Sequence, residues 1–212
     1  MAEATTPALG LLGGTFDPVH FGHLRVAVEL AEAFALPQVA LVPCFQPPHR
    51  AMPVAAAGQR LAMLELAVAG NQRLAVDDCE LQRGGCSFTV DTLAALRQQH
   101  GEATALYFAM GIDAFNGLAG WQNWQRLFEL ANIVVLSRPG YQLDNHSPVL
   151  DGRLSHFTGQ HRPAGGLYEL VVTSLNISAT AIRAHRAAGR SISYLLPQTV
   201  EHYIHQHRLY LA

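Results

Sequence analysis

The sequence has few charged side chains and no excess of either sign. Only 14% of its 212 residues are Asp, Glu, Lys or Arg, and 14 basic against 16 acidic residues give a formal net charge of −2. Such a balance provides no excess of positive charge with which to attract duplex DNA or an anionic membrane. We therefore expect no nucleic-acid and no membrane partner. A phosphorylated substrate would have to be held by local groups rather than by a general basic field.

Cysteine is scarce and long apolar runs are absent. Cys44, Cys79 and Cys86 are odd in number and lack CxxC spacing, which argues against a disulfide scaffold or a structural zinc site and favours a reducing compartment. Residues 1–7 lack the basic and apolar regions of a signal peptide. No run approaches the roughly 20 apolar residues that a membrane-spanning helix needs. The expectation is a soluble, cytoplasmic protein without a metal site built from its own side chains.

Apolar residues are plentiful, at 50% of the chain, and they follow two alternating patterns. Short runs typical of buried strands alternate with longer stretches of helical periodicity. The predicted strands cover residues 8–12, 39–42, 73–76, 105–110, 133–136 and 167–172, and the predicted helices cover 22–34, 59–69, 89–99, 121–130, 178–188 and 197–206. This alternation predicts an α/β protein with one doubly wound, mainly parallel sheet and helices on both faces. We expect a single domain over 1–212, helical from about residue 178, with a long loop over 141–166.

Ligands of such sheets bind beyond the carboxyl ends of the strands, where the strand order reverses. One strand end is followed by Gly13-Gly14-Thr15, in the segment GGTFDPVHFGHL, which then opens a helix. Adjacent glycines allow close approach of the backbone, and successive N–H groups at a helix N-terminus favour phosphate. His20 and His23 are three residues apart, so at a helix start they lie on one face. A lone HxxH is often two surface histidines or half a metal site, but beside this glycine pair it predicts phosphate binding.

A second candidate anion site occurs near the C-terminus, in the segment NISATAIR. Ser178 precedes an apolar-periodic run, which is typical of a helix N-cap. The hydroxyls of Ser178 and Thr180 and the free N–H groups of that helix would face one spot, and Arg183 would lie about one turn further on with its forked donors. Taken alone, such a segment is more often an ordinary capped helix with a surface arginine.

Together these segments resemble the signatures of one known family. GGTFDPVHFGHL resembles the N-terminal element of the (H/T)xGH nucleotidyltransferase superfamily, and more narrowly of the bacterial nicotinate-nucleotide adenylyltransferases; the second segment resembles that family's ISxTxxR element. The resemblance implies a Rossmann-like fold in which His20, His23 and Arg183 are catalytic, binding the phosphates of ATP and stabilising the leaving pyrophosphate. The ATP-binding residues that it implies are Gly13, Gly14, Thr15, Phe16, Gly111, Asp113, Ile177, Ser178 and Thr180.

Four further segments resemble the family's acceptor-binding elements. The basic residue of PPHR is Arg50, the threonine of SFTVDTL is Thr89, a tryptophan downstream of Gly111-Ile112-Asp113 is Trp121, and the turn SRPG carries Arg138. The resemblance implies that Thr89 helps to hold a pyridine carboxylate and that Trp121 stacks on the pyridine ring, with Trp124 as a competing candidate. Phe88 stands where the family usually has tyrosine.

The reaction implied by the resemblance joins ATP and nicotinic acid mononucleotide to give nicotinic acid adenine dinucleotide and pyrophosphate, a step of NAD biosynthesis. Mg²⁺ is expected to accompany ATP, held mainly by phosphates and water. Two alternatives stay open: a sibling enzyme acting on nicotinamide mononucleotide or phosphopantetheine, and a non-catalytic module that senses nucleotide. The sequence also leaves open whether the chain forms a homo-oligomer.

Overall fold

The computed structural model describes residues 6–48, 51–138, 149–150 and 152–211. Within these ranges a seven-stranded sheet has the order β3-β2-β1-β4-β5-β7-β6, and every neighbouring pair is parallel. Its strands are β1 (Ala8–Gly14), β2 (Val39–Pro43), β3 (Leu74–Val76), β4 (Ala105–Gly111), β5 (Asn132–Ser137), β6 (Leu154–Ser155) and β7 (Leu167–Val171). The parallel, mixed α/β architecture predicted from the sequence is confirmed.

The helices cover both faces of this sheet. They are α1 (Phe21–Ala33), α2 (Ala57–Val68), α3 (Cys79–Arg83), α4 (Thr89–His100), α5 (Ile112–Asn116), α6 (Trp124–Leu130), α7 (Ala179–Ala187) and α8 (Gln198–Gln206), with a 3₁₀ turn at Leu118–Gly120. None of the helices in the described residues is long and apolar enough to cross a membrane.

The side chains of the central strands divide the core into two layers. In β4, Tyr107 and Ala109 pack with the helices of one face, whereas Phe108 and Met110 pack with those of the other. Both layers are buried, so these strands read as continuous apolar runs instead of alternating with polar residues. The first layer contacts α1, α2, α7 and α8; the second contacts α4, α5 and α6.

The strand order reverses between β1 and β4. From β1 the chain builds outward through β2 and β3, and it then returns to place β4 on the other side of β1. Leu12 of β1 pairs with Leu41 of β2 and with Ala109 of β4. The loops that follow β1 and β4 therefore diverge and leave an opening at the carboxyl edge, where such folds bind ligands.

Three local features differ from the sequence prediction. Residues 121–123 are not helical, because Asn123 has a left-handed backbone (φ 50°) and α6 begins only at Trp124. Helices α3 and α5 were not predicted; each has five residues, too few to show a periodicity. In the predicted loop over 141–166, positions 141–148 and 151 lie outside the described residues, and the described part contains the two-residue strand β6.

The last residues of that loop are hydrogen-bonded to the sheet through one buried side-chain amide. Asn132 is fully buried at the start of β5, and its Nδ2 donates to the carbonyls of Leu106 (3.1 Å) and Arg162 (2.8 Å). Its Oδ1 accepts from the backbone N–H of Gly166 at 2.9 Å. These bonds fix the entry of β7 beside β5.

Candidate active site

A cavity of about 460 Å³ opens at the carboxyl ends of β1 and β4. Gly13, Gly14 and Thr15 line it at the end of β1, and Gly111 and Asp113 line it at the end of β4. Side chains from the second helical layer close the remaining sides; among them are Phe88, Thr89 and Trp121. Its volume is within the range of ligand sites for small molecules, and its position at the strand-order reversal matches the sequence prediction.

The two glycines at the end of β1 lie in close contact with aromatic rings. A Cβ on Gly14 would lie 2.9 Å from the ring of Phe16, and a Cβ on Gly13 would lie 3.3 Å from the ring of Phe108. Phe16 itself has a left-handed backbone (φ 48°) and a buried ring that meets the His23 ring edge-on, with centroids 5.0 Å apart. The Phe16 side chain therefore packs under the loop as part of the core, and Phe16 is not among the described residues that line the cavity.

The two histidines form a stacked pair at the start of α1. Their ring centroids are 3.8 Å apart and their planes are inclined by 23°. The backbone N–H of His20 donates to Nδ1 of His23 at 3.3 Å, so the proton of a neutral His23 resides on Nε2, where it can be donated outward. A Cβ at Gly22 would approach two atoms of the His20 ring to 3.0 Å, so a glycine at this position leaves room for the stack.

Both imidazoles are neutral at neutral pH in the free protein. Burial lowers the pKa of His20 from 6.5 to about 4. Burial, together with repulsion from His20, lowers the pKa of His23 to about 3. Bringing anionic phosphate against the rings would oppose this shift, because a nearby negative charge favours the protonated form.

Arg183 connects the second predicted segment to the first. Its Nη1 donates to the backbone carbonyl of Asp17 at 2.6 Å and lies 3.8 Å from the Asp17 carboxylate, and its Nη2 donates to the Thr180 hydroxyl at 3.3 Å. Asp17 lies in the loop between Thr15 and His20. The two segments, distant in sequence, are therefore directly bonded, because Arg183 of α7 donates to the loop that leads into His20 and α1.

The helix N-cap predicted at Ser178 is confirmed. Its hydroxyl accepts from the backbone N–H of Ala181 at 3.1 Å, and α7 begins at Ala179. The Ile177 carbonyl lies 3.8 Å from where a Gly22 Cβ would be, so the N-terminal ends of α1 and α7 converge. The N-terminus of a helix favours an anion, and these two helix starts lie close to each other.

Arg60 is a residue of the site that the sequence did not reveal. It is only 1% exposed, and its guanidinium donates to the carbonyls of Thr15 (2.8 Å), Phe45 (3.3 Å) and Ala55 (3.3 Å). These carbonyls belong to the loop after β1, the loop after β2 and the segment before α2. An arginine in a helical pattern gives no signal of such a role, because its acceptors are backbone atoms of distant segments.

The predicted acceptor residues fall into three groups. Thr89 and Trp121 line the cavity, and Trp124 instead packs against Phe128 with ring centroids 6.4 Å apart. Arg138 follows β5 at the same edge of the sheet; it is exposed and is not among the described residues that line the cavity. Arg50 lies outside the described residues.

Comparison with known proteins identifies relatives along nearly the whole chain. The family model described as "Cytidylyltransferase-like" matches residues 11–185. "Probable nicotinate-nucleotide adenylyltransferase" of Cellvibrio japonicus is 45% identical over 208 residues, covering 96% of this chain and 99% of the relative. A protein of the same name from Pseudomonas aeruginosa is also 45% identical, with 96% and 97% coverage.

A solved structure has the same fold. The nicotinic acid mononucleotide adenylyltransferase of Plasmodium falciparum complexed with NaAD aligns with a TM-score of 0.74 over 96% of this chain and 97% of that one, at 17% sequence identity. At this identity the likeness concerns the arrangement of strands and helices, and it agrees with the doubly wound sheet described above.

We predict that the stacked histidines stay neutral well below the usual histidine range. An unfolded chain protonates these rings near pH 6.5, whereas the folded protein keeps them neutral to about pH 4. Since the unfolded chain binds more protons in this interval, the free energy of unfolding should fall as the pH drops from 6.5 to 4.

Imidazole NMR titration of the ligand-free protein measures this directly, with signals assigned through the His20→Gln and His23→Gln variants. Titration of both rings between pH 6 and 7 would contradict the prediction.

Proposed function

The chain belongs to the cytidylyltransferase-like family and, within it, to the nicotinate-nucleotide adenylyltransferases, and from this we propose how its site performs the reaction. ATP and nicotinic acid mononucleotide react to give nicotinic acid adenine dinucleotide and pyrophosphate. The observation that carries the proposal is the bond from Arg183 to the Asp17 carbonyl. It joins both phosphate-binding segments beside a cavity that Thr89 and Trp121 line.

The triphosphate is proposed to lie against the loop after β1 and the N-termini of α1 and α7. Gly13, Gly14, Thr15 and the backbone of Phe16 would face it from one side. The opposing groups would be Gly111, Asp113, Ile177, Ser178 and Thr180. Because the protein carries a formal charge of −2, these local donors and helix ends must supply the attraction for ATP.

In the proposed reaction, a phosphate oxygen of the acceptor attacks the α-phosphorus of ATP in line. The new P–O bond forms as the bond to the bridging oxygen breaks, and that electron pair leaves with pyrophosphate. The attacking oxygen is already anionic near neutral pH, so catalysis rests on orientation and charge stabilisation. His20 and His23 would donate to the oxygens on which charge develops, and Arg183 would neutralise the leaving group.

We further propose that Mg²⁺ enters with ATP as part of the substrate. The described residues contain no group of three or more His, Cys, Asp or Glu side chains placed to hold an ion, so the proposal assigns its coordination to phosphate and water oxygens. The three cysteines are free thiols, which supports a reducing, cytoplasmic setting. The family match over 11–185 and the single sheet support one nucleotidyltransferase domain.

The acceptor is proposed to occupy the cavity with its pyridine ring on Trp121 and its carboxylate near Thr89. Thr89 is the first residue of α4, where free backbone N–H groups and the helix dipole favour an anionic group. Phe88 also lines the cavity and has no hydroxyl to offer. Arg50 and Arg138 are proposed to reach the acceptor phosphate.

We expect pyrophosphate release with MgATP to be fastest with nicotinic acid mononucleotide. The assay compares this acceptor with nicotinamide mononucleotide and phosphopantetheine at equal concentrations, and a reaction without acceptor serves as the blank. The two pyridine nucleotides differ only in carboxylate against amide, so their ratio of kcat/KM reports on the anion-binding end of α4. Preference for another acceptor would identify a sibling enzyme, and ATP binding without turnover would identify a nucleotide-sensing module.

Replacement of Trp121 should act on the acceptor alone. Trp121→Ala is expected to raise KM for nicotinic acid mononucleotide about fivefold to tenfold, because an aromatic stack is worth roughly 1 kcal/mol beyond burial, and to leave KM for ATP unchanged. The matched control is Trp124→Ala, which removes a tryptophan packed on Phe128 outside the cavity lining. If the two substitutions change the acceptor KM equally, Trp121 does not contact the acceptor.

A methyl group at Gly22 should disturb the histidine stack without unfolding the protein. Gly22→Ala places a Cβ 3.0 Å from the His20 ring, and the displaced imidazole is expected to lower kcat roughly 10-fold to 100-fold. The control is Gly58→Ala in α2, where a Cβ meets nothing within 4 Å. This control should keep full activity and raise the free energy of unfolding by up to about 1 kcal/mol. Wild-type kcat in Gly22→Ala would show that the ring position does not matter.

A further inference from the structure

Asp17 is the point at which four distant segments of the chain meet. Its carboxylate is buried, at 4% exposure, and accepts from the backbone N–H groups of Val54 (2.7 Å) and Ala55 (3.1 Å). The hydroxyl of Tyr210 donates to the same carboxylate at 2.7 Å. Arg183 donates to the Asp17 carbonyl and lies 3.8 Å from the carboxylate. Asp17 therefore carries the guanidinium assigned above to the leaving pyrophosphate.

The number of hydrogen bonds that this carboxylate already accepts determines how strongly it attracts Arg183. Oδ1 accepts from Ala55 and Tyr210, and Oδ2 accepts from Val54. With three donors in place, Arg183 is held by the carbonyl and by the Thr180 hydroxyl, and further guanidinium N–H groups remain for a ligand. Loss of one donor would leave a buried anion short of partners, which is costly, and the nearest cation that could replace it is Arg183.

Tyr210 reaches Asp17 through an unusual backbone turn. Arg208 and Tyr210 have left-handed conformations, with φ of 50° and 59°. Such conformations are unfavourable for residues other than glycine and persist only where the surroundings impose them. The turn directs the Tyr210 ring into the core beside α8, at 7% exposure. Burial and the hydrogen bond to Asp17 raise the pKa of the Tyr210 hydroxyl, so it stays a neutral donor.

We propose that Tyr210 is a positioning residue for ATP binding: its hydroxyl saturates Asp17 and thereby keeps Arg183 directed at the phosphates. The proposal rests on the assignment of Arg183 to the phosphates of ATP in the proposed function. It adds the segment after α8 to the determinants of the phosphate site, although that segment is not among the described residues lining the cavity.

The decisive variant is Tyr210→Phe, which keeps the packed ring and deletes only the hydroxyl. The dissociation constant for MgATP, measured by calorimetry without acceptor, is expected to rise about tenfold, since the lost bond involves a charged acceptor. KM for nicotinic acid mononucleotide should stay at the wild-type value. The matched control is Tyr203→Phe in α8, whose ring stacks on His207 with centroids 4.1 Å apart; it should leave both constants unchanged.

A double-mutant cycle distinguishes positioning from general stabilisation. If Tyr210 acts through Arg183, Tyr210→Phe should have little further effect on ATP affinity in an Arg183→Ala background. Thermal melting of all variants verifies that each is folded. Wild-type ATP affinity in Tyr210→Phe, or equal losses in the two backgrounds, would overturn the proposal.

The binding measurement also separates this proposal from the proposed function. If the wild type binds MgATP but adenylates another acceptor, the acceptor assignment fails while the tenfold loss in Tyr210→Phe still supports positioning. If nicotinic acid mononucleotide is the acceptor and Tyr210→Phe binds ATP normally, the positioning role fails and the function stands.

Discussion

The buried carboxylate of Asp17 is the interaction on which the conformation of the loop after β1 depends. The donors to this carboxylate come from the segment before α2 and from the turn after α8, and Arg183 of α7 lies 3.8 Å from it while donating to the Asp17 backbone carbonyl. Arg60 reinforces the same loop from the opposite direction, because its guanidinium binds the carbonyl of Thr15. A charge buried without partners would destabilise the fold, so the bonds that satisfy Asp17 also hold the loop after β1 in one conformation.

The electrostatics of the site are local and depend on dipoles more than on charge. The stacked imidazoles are neutral in the free protein, and two helix N-termini supply partial positive charge at the same place. Arg183 is the fixed cation that the described structure brings to these groups. An arrangement of oriented donors requires little reorganisation when charge develops on a leaving group. This arrangement is consistent with a chain of nearly balanced composition that binds a highly anionic substrate.

How much of this site the sequence could predict depends on how far apart the interacting residues lie along the chain. The spacing of His20 and His23 and the N-cap at Ser178 are local signals, and the structure confirms the geometry they predict. Arg60 and Tyr210 gave no signal, because their partners are far along the chain and ordinary residue types occupy both positions. The sequence predicts that a helix begins at Trp121, but Asn123 has a left-handed backbone, which asparagine tolerates better than most residues, and α6 begins only after it.

The sheet separates the two halves of the site into different layers of the core. The elements that carry His20, His23 and Arg183 pack on one face with α2 and α8, whereas Thr89 and Trp121 belong to the layer of α4, α5 and α6. The cavity opens at the carboxyl edge of β1 and β4, beyond the end of the sheet that separates the two layers. Substitutions around Thr89 and Trp121, the proposed acceptor-binding residues, can therefore accumulate without repacking the layer that carries the proposed phosphate-binding residues. A fold built in this way can change the molecule it adenylates while it keeps its use of ATP.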